Sequence, residues 1–136
     1  MADCIFCKIA RGEIPCAKLY EDDHVVSFLD IQPINPGHAL VIPKRHYSTL
    51  FEIPDEELAA CIGAAKKVAA AVHKAVGAAG LNLLQNNFRA AGQLVEHAHF
   101  HIIPRQARDG FLTTWPGKAY AAGAMEKLQQ RVVAEL

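Results

Sequence analysis

Three histidines, His97, His99 and His101, stand at every second position of one short segment. The chain has 7 histidines in all, so the spacing concentrates a large share of them in one place. Alternate side chains of a β-strand share a face and lie roughly 6.5–7 Å apart, whereas a helix would scatter them. The segment is therefore predicted to be a strand that presents a row of imidazoles, an arrangement typical of metal binding or of phosphate chemistry.

Phosphate chemistry accounts better for the residues just upstream. Imidazole has an unperturbed pKa of about 6.5, so much of it is neutral at pH 7 and can attack phosphorus, forming a phosphorus–nitrogen bond that water later cleaves. A neighbouring imidazole that stays cationic would stabilise the phosphate oxygens. Amide side chains and a glycine-freed backbone suit a polyanion, and they occur at Asn86, Asn87, Gly92 and Gln93. The alternative is that the histidine row is itself a catalytic metal site.

A Cys-x-x-Cys pair, Cys4 and Cys7, lies near the start of the chain. In a reducing compartment such a pair indicates metal binding or redox chemistry more than a disulfide. Cys16 precedes a predicted strand, and Cys61 lies on the apolar side of a predicted helix. We expect both of these to be packing residues.

Composition limits the partners that the chain can have. Its 136 residues include 14 basic and 14 acidic side chains, so long-range attraction to nucleic acid or to an anionic membrane is not supported. No stretch approaches the roughly 18 consecutive apolar residues of a membrane-spanning helix. The N-terminus lacks the basic and apolar regions of a signal peptide, so we expect a cytoplasmic protein.

Periodicity predicts the elements that hold these residues. Apolar residues recur every three or four positions in residues 55–78, which predicts one long helix with acidic residues in its first turn and glycines at its end. Strands are expected at residues 18–21, 25–29, 39–42, 81–86 and 97–103, and a further helix at 118–134. Short strands with segregated helices predict an α+β fold, with an antiparallel sheet, one long central helix and a C-terminal helix.

The segment from His97 to Ile103 resembles the His-φ-His-φ-His-φ-φ signature of the histidine-triad (HIT) superfamily, where φ is apolar. Further matching segments are Cys4–Ile9, Gly12–Pro15, Tyr20–Asp22, Phe28–Asp30, Pro36–Lys44, Asn86 and Ala91–Gln93. The chain is most similar to the Hint branch and its bacterial relatives. The resemblance implies a HIT-like sheet of about five strands in a single domain over residues 1–136, with a core at about 3–105 and a divergent tail at 106–136.

The resemblance also implies roles for individual residues. His99 would be the nucleophile that becomes nucleotidylated, His101 would bond the phosphate oxygens, and His97 would help His38 to orient the site. Besides His99 and His101, the residues implied in nucleotide binding are Ile9, Phe28, Asp30, Ile31, Asn86, Gly92, Gln93, Leu94 and Val95. Leu94 departs from the serine that Hint-type proteins often have, and leucine cannot donate a hydrogen bond to a leaving group. The lost bond would be worth about 1 kcal/mol.

The implied function is hydrolysis at the α-phosphate of purine nucleoside phosphoramidates, aminoacyl nucleotides or dinucleoside polyphosphates, through a nucleotidyl-histidine intermediate. Such an enzyme would be a homodimer and would need no cofactor for catalysis. Some bacterial members that the chain resembles bind zinc through a set that corresponds here to Cys4, Cys7, His46 and His97. With four protein ligands, such a site would be closed and therefore structural. The alternative is a nucleotide-binding regulatory or interaction module whose hydrolysis is incidental.

Overall fold

A computed structural model, which describes residues 3–112 and 114–136, contains three α-helices and five strands in those residues. In chain order they are α1 (Ile5–Ala10), β1 (Lys18–Glu21), β2 (Val25–Leu29), β3 (Ala39–Pro43), α2 (Asp55–Val76), β4 (Gly80–Gln85), β5 (Phe100–Arg105) and α3 (Ala124–Ala134). The strands form one antiparallel sheet in the order β1-β2-β3-β5-β4. The expected α+β class and the number of strands are confirmed.

Each face of the sheet has its own hydrophobic core, because side chains alternate along the strands. One face packs against α2 through residues that include Val25, Val41, Phe100 and Ile102. The other face packs against α1 through a second cluster that consists of Phe6, Ile9, Val26, Phe28, Leu40 and Ile42. Leu40 lies directly opposite His101 in the pairing of β3 with β5, so His101 shares the α1 face.

The long helix α2 ends two residues before its predicted end. Gly77 follows it with φ at +62°, a left-handed conformation that glycine adopts without steric cost and that commonly ends helices. Its first turn carries Asp55, Glu56 and Glu57, where negative charge stabilises the helix dipole. No helix in the described part of the chain has the length and apolar character needed to span a membrane.

The strand β5 begins three residues later than predicted. The Ala98 N–H donates to the Tyr47 carbonyl at 2.7 Å, so the chain joins the sheet only at Phe100. His97 and His99 therefore precede the strand, and the prediction of one three-histidine strand is wrong at its start. At the other end, β5 continues through Pro104. The strand tolerates this proline because the backbone of Pro104 faces the β3 side, where its carbonyl accepts from Asn35, and the pairing with β3 ends at Ile102, so no ladder bond needs an N–H there.

The short helix α1 is the main element that the sequence pattern does not predict. It has only six residues, too few for a periodic apolar pattern to stand out. Its N-cap is Cys4, whose sulfur accepts a hydrogen bond from the Cys7 N–H at 3.4 Å. The cysteine pair is thus held at a helix start, with Phe6 buried between them.

The C-terminal helix α3 is shorter than predicted, since it begins at Ala124 rather than near residue 118. None of its residues is buried, and its apolar side chains Met125, Leu128, Val132 and Val133 are exposed. The predicted apolar side of this helix therefore exists, but it does not contribute to either core of the sheet.

Candidate active site and metal centre

A cavity of about 450 Å³ opens on the α1 face of the sheet. The expected catalytic and nucleotide-binding residues that line it are Ile9, Phe28, Asp30, Ile31, His38, Gly92, Leu94, Val95, His99 and His101. Most of the remaining wall is apolar, as in pockets that hold a flat ring and fix its orientation with a few polar groups. Three other expected residues, Asn86, Gln93 and His97, lie outside this lining.

The orientation of His99 fixes which of its nitrogens carries the proton. Its Nδ1 lies 2.7 Å from the carbonyl oxygen of His97, and because a carbonyl can only accept, Nδ1 must be the protonated nitrogen. The lone pair of the neutral ring is then at Nε2. The ring is 5% exposed, and the edge of Phe6 packs against it with ring centroids 5.2 Å apart. The hydrogen bond and the packing therefore keep His99 in one orientation, as a neutral imidazole with a free lone pair on Nε2.

A chain of hydrogen bonds fixes the protons of His38 and His101 in the same way. The Ile34 N–H donates to His38 Nδ1 at 3.0 Å, so the proton of the neutral His38 ring is on Nε2. His38 Nε2 lies 2.9 Å from His101 Nδ1, to which it donates. His101 consequently carries its own proton on Nε2. The two rings of His99 and His101 lie 4.9 Å apart, which places a lone pair and an N–H donor side by side.

The same proton positions argue against a metal ion among Asp30, His38 and His101. Ligand atoms of these three residues lie within 4.8 Å of one another, which is close enough for a shared ion. However, a neutral His38 has its proton on the nitrogen that faces His101, whereas a metal needs a lone pair there. The geometry favours hydrogen bonding over the alternative of a catalytic metal at the histidines.

Burial keeps the site histidines neutral. Burial, with smaller effects of the neighbouring His99 and His38, lowers the pKa of His101 from 6.5 to about 4. Burial likewise lowers the pKa of His99 and that of His38, although the Asp30 carboxylate opposes the shift in both. The expected cationic histidine beside the nucleophile is therefore replaced by a neutral ring that donates a hydrogen bond.

His97 faces away from the cavity and joins the two cysteines. Its Nε2 donates to the Pro43 carbonyl at 2.8 Å, which leaves a lone pair on Nδ1. That Nδ1 lies 3.4 Å from Cys4 Sγ and 3.6 Å from Cys7 Sγ, and Cys7 Sγ lies 3.3 Å from His46 Nδ1. The three histidines of the segment are thus divided between two sites, because His97 turns towards the N-terminal helix.

The cluster of Cys4, Cys7, His46 and His97 has the chemistry of a zinc site. Its four ligand atoms lie within 4.8 Å of one another. A tetrahedral zinc ion with bonds of about 2.3 Å to sulfur and about 2.05 Å to nitrogen places these ligands roughly 3.5 Å apart, close to the distances seen here. The hydrogen bond from His97 to a backbone carbonyl also matches the support that zinc-bound histidines usually have. The residues present therefore fit a closed, four-ligand site.

The segment before the histidines has a conformation that its own side chains maintain. The side chain of Gln93 is buried, accepts from the Phe88 N–H at 2.7 Å and donates to the Ser48 carbonyl at 2.6 Å. Its amide is thus occupied within the loop, so it supports the loop rather than reaching a ligand. A side chain built on Gly92 would come within 3.7 Å of the Asn86 amide nitrogen, so Asn86 borders the same backbone. Leu94 is 79% exposed at the cavity.

Sequence patterns did not identify Phe6 as part of the site, nor the unusual backbone of Phe88 in the loop before the histidines. Phe6 packs on both His97 and His99. The sequence feature that could have indicated this role is its position between the two cysteines. Phe88 has φ at +70° and ψ at 156°, a region that residues other than glycine adopt only under strain. Its side chain is exposed and stacks on that of Phe51. No single-residue propensity indicates a phenylalanine in this conformation.

The proton positions can be tested by NMR. Long-range ¹H–¹⁵N spectra of the imidazoles are expected to show His99 protonated at Nδ1 and His101 protonated at Nε2. The His101 ring should remain neutral until the pH falls well below 6.5, because burial disfavours its charged form. The opposite tautomer at either ring, or a His101 midpoint at 6.5 or above, would contradict the assignment.

The same shift has a consequence for stability, which serves as an independent check. Between about pH 6.5 and pH 4 the unfolded chain binds a proton at His101 that the folded chain does not bind. The free energy of unfolding should therefore be lost as the pH falls through this range. A His101→Gln variant should show a smaller acid loss in the same range when chemical denaturation is followed at each pH.

Two proteins named as enzymes are similar to this chain in sequence. The adenosine 5'-monophosphoramidase HNT1 of Saccharomyces cerevisiae is 44% identical over 99% of this chain and 84% of its own length. The adenylylsulfatase HINT3 of Arabidopsis thaliana is 52% identical over 79% of this chain, although the match covers only 54% of the plant protein.

Two crystal structures share the fold along nearly the whole chain. A member of the HIT family from Bacillus subtilis has a TM-score of 0.92 and 43% identity, with 98% of this chain and 97% of that one covered. A zinc-bound histidine triad family protein from Mycobacterium smegmatis has a TM-score of 0.75 and 32% identity, with 98% and 95% covered. The family model of the HIT domain matches residues 11–108. On the histidine segment, the fold and these matches together, the chain belongs to the HIT domain family.

Proposed function

We propose that this protein hydrolyses purine nucleoside 5'-phosphoramidates through a covalent intermediate on His99. The observation that carries the proposal is the pairing of a free His99 Nε2 lone pair with an N–H of His101, fixed by the carbonyl of His97 and by His38. A buried, neutral imidazole is a competent nucleophile, and a fixed N–H beside it can stabilise the charge that develops on a phosphate oxygen.

The chemistry would take two displacements at phosphorus. In the first, His99 Nε2 forms a bond to the α-phosphorus while the bond to the leaving nitrogen breaks, and the departing amine takes a proton from water. The ring becomes positively charged, and its Nδ1–H bond to the His97 carbonyl stabilises that charge. In the second, a water oxygen bonds to phosphorus while the phosphorus–Nε2 bond breaks, and the water gives up one proton to solvent. The products are the nucleoside monophosphate and the neutral His99 ring.

The wall of the cavity supports a nucleoside as the bound group. Phe28, Ile9 and Ile31 offer apolar surface for a purine base. Asp30 is partly exposed, and one of its oxygens already accepts from the Gln32 N–H at 2.8 Å, which fixes the carboxylate at the cavity. In the proposed complex, the Asp30 carboxylate would accept from ribose hydroxyls.

The names of the relatives bear on the leaving group. The yeast relative is named for an adenosine 5'-monophosphoramide and the plant relative for an adenylylsulfate, so an amine and a sulfate are the first leaving groups to test. Aminoacyl nucleotides would instead release the carboxylate of an amino acid, and dinucleoside polyphosphates would release a nucleotide. The exposed Leu94 would leave the departing group without a hydroxyl donor from this position.

The direct test compares adenosine 5'-phosphoramidate with a diadenosine polyphosphate as substrates of the purified protein. His99→Ala is expected to lower kcat/KM for the phosphoramidate by at least about 10³-fold and to abolish the nucleotidyl adduct in rapid-quench intact-mass spectra. His101→Ala should lower kcat by about 10²–10³-fold, because one donor to the phosphate is lost. The exposed His73 on α2 provides the matched control, since His73→Ala should change neither value.

Turnover that persists in His99→Ala would overturn the nucleophile. Tight binding of AMP without turnover of either substrate would favour the regulatory or interaction module instead. In that case Leu94→Ser would be the first reversion to make, because it would restore a hydroxyl at the cavity.

We further propose that the Cys4, Cys7, His46 and His97 cluster binds one structural zinc ion. The donor set, the spacing of the ligand atoms and the zinc-bound relative from Mycobacterium smegmatis support this. A closed site of four protein ligands leaves no position for substrate, so the ion would stabilise the fold and would take no part in the reaction. It would tie α1 to the segment that carries His99.

Removal of the metal should destabilise the protein without stopping the chemistry. Protein purified without chelator is expected to contain about one zinc ion per chain, and chelation should lower Tm by on the order of 10 °C. Cys7→Ser should abolish zinc retention, whereas Cys16→Ser, outside the cluster, should retain it. Metal-free wild-type protein with an unchanged Tm would contradict the structural role, and loss of activity in chelated but still folded protein would contradict the metal-free mechanism.

We also infer that the protein forms a homodimer through β4. The two edge strands differ: β1 carries Lys18 and Glu21, whereas β4 has no charged residue and exposes Leu83. Charged residues on an edge strand oppose pairing with another chain, and their absence permits it. A second copy of β4 would extend the sheet across a two-fold axis.

Light scattering on the purified protein tests this interface. Wild-type protein should have the mass of a dimer, and Leu83→Lys should shift it towards the monomer by at least tenfold in the dissociation constant, since the symmetry brings two like charges together. Leu19→Lys, on the opposite edge strand, is the control and should remain dimeric. A wild-type monomer at high concentration would refute the proposal.

A further inference from the structure

A partly buried ion pair lies where β5 ends and the tail begins. Arg105 donates to both carboxylate oxygens of Asp109, from Nε and Nη2, each at 2.6 Å. The side chains are 17% and 7% exposed, so the pair is largely shielded from water. Asp109 also accepts from the Gln106 and Phe111 N–H groups, which closes the chain into a turn. A carboxylate that is shielded from water is stabilised only when several hydrogen-bond donors like these contact it.

One further donor to Asp109 comes from a distant part of the chain. Asn35 Nδ2 lies 2.9 Å from Asp109 Oδ2 and 2.8 Å from the carbonyl oxygen of Pro104. Leu81 of β4 pairs with Pro104 on one side, but the pairing with β3 ends at Ile102, so β3 provides no strand partner for the Pro104 carbonyl on the other side. The Asn35 side chain therefore takes the place of a backbone donor and joins the residue 30–38 loop to the tail turn.

That loop carries polar groups of the proposed nucleotide site at both of its ends. Asp30 and His38 line the cavity, and the Asp30 N–H donates to the His38 carbonyl at 2.9 Å. The Asn35 carbonyl accepts from the His38 N–H at 3.0 Å, and the Ile34 N–H sets the proton position of the His38 ring. A shift of Asn35 would consequently move the donor and acceptor groups that face the ligand.

The approach of the loop to the rest of the fold is close at Gly37 as well. A Cβ on this residue would lie 2.9 Å from Val76 Cγ1 and 3.2 Å from Pro104 Cγ, and its φ is +96°. Glycine is required there because a side chain would meet both the end of α2 and β5. Gly37 sets the distance between loop and sheet, whereas the hydrogen bond from the loop to the tail turn, among the described residues, comes from the Asn35 amide.

We infer that Asn35 and Asp109 are positioning residues for the nucleotide cavity: their hydrogen bond holds the 30–38 loop, with Asp30 and His38, in the arrangement that binds the nucleoside, and so couples the tail turn to nucleotide affinity. The inference rests on the proposed function. Neither residue lines the cavity, so their effect on the ligand passes through the loop.

The test compares two variants that remove different partners of the same network. Asn35→Ala breaks the bond to the loop, whereas Asn82→Ala breaks the bond between Arg105 Nη1 and the Asn82 side chain of β4, which is 2.8 Å long and does not touch the loop. Loss of a hydrogen bond to a charged group justifies an expected weakening of AMP binding by about tenfold in Asn35→Ala. KM for the phosphoramidate should rise by a similar factor while kcat stays within about twofold.

Hydrogen exchange provides a second readout that does not depend on turnover. The amides of residues 30–38 should exchange faster in Asn35→Ala than in wild-type protein, and should be unchanged in Asn82→Ala. Asn35→Asp should weaken AMP binding more than Asn35→Ala, because it places a second carboxylate against Asp109. In an Asp109→Asn background, Asn35→Ala should have a smaller effect than in the wild type, as expected for two groups that act through one bond.

The outcomes separate the two levels of the proposal. Equal AMP affinity in wild type and Asn35→Ala, or equal losses in Asn35→Ala and Asn82→Ala, would overturn the positioning role and leave the proposed function standing. Wild-type protein that binds no AMP would overturn the proposed function itself. Faster exchange of the loop with unchanged affinity would restrict Asn35 to a structural role and would also overturn the inference.

Discussion

His97 makes three contacts on which the rest of the site depends. Its carbonyl oxygen fixes the proton of His99, its Nε2 bonds the Pro43 carbonyl at the end of β3, and its Nδ1 faces the sulfurs of Cys4 and Cys7. A residue that is fully buried can satisfy all three only in one orientation of ring and backbone. The nucleophile, the sheet and the N-terminal helix are therefore held together by one side chain and its own peptide group.

Burial then determines how the remaining histidines behave. A hydrogen-bonded imidazole chain in water would exchange its protons and tautomers freely, but in the cavity the His38 and His99 rings each have one backbone partner that can only donate or only accept. The His38 ring in turn sets the proton position of His101. The proton positions follow from those partners, and desolvation keeps the rings neutral. The chemistry assigned to each nitrogen is thus a consequence of backbone geometry more than of the histidine spacing itself.

Much of this could be predicted from the sequence, for identifiable reasons. The spacing of the histidines located the cavity, and the long apolar periodicity located α2 almost to the residue. The sequence could not predict that His97 belongs to a different site from His99 and His101. This separation depends on the hydrogen bond between Ala98 and Tyr47, which lie 51 positions apart in the chain. The Asn35 bond to Asp109 is equally non-local, and neither residue belongs to a motif. Local patterns indicate which residues share a face of a strand or helix. They do not indicate which distant backbone groups will form hydrogen bonds with those residues.

The absence of cationic side chains from the described cavity lining has a consequence for the release of the product. No lysine or arginine contributes to the wall, and burial lowers the pKa of its histidines His38, His99 and His101, which favours their neutral form. A bound anion is therefore held by hydrogen bonds and dipoles, which favour a single negative charge over two in a largely apolar enclosure. The phosphorus group of a nucleoside phosphoramidate carries one negative charge, whereas a free monophosphate gains a second negative charge near neutral pH. In the proposed reaction, the product would acquire charge that the cavity does not compensate, and electrostatics would then favour its release over its retention.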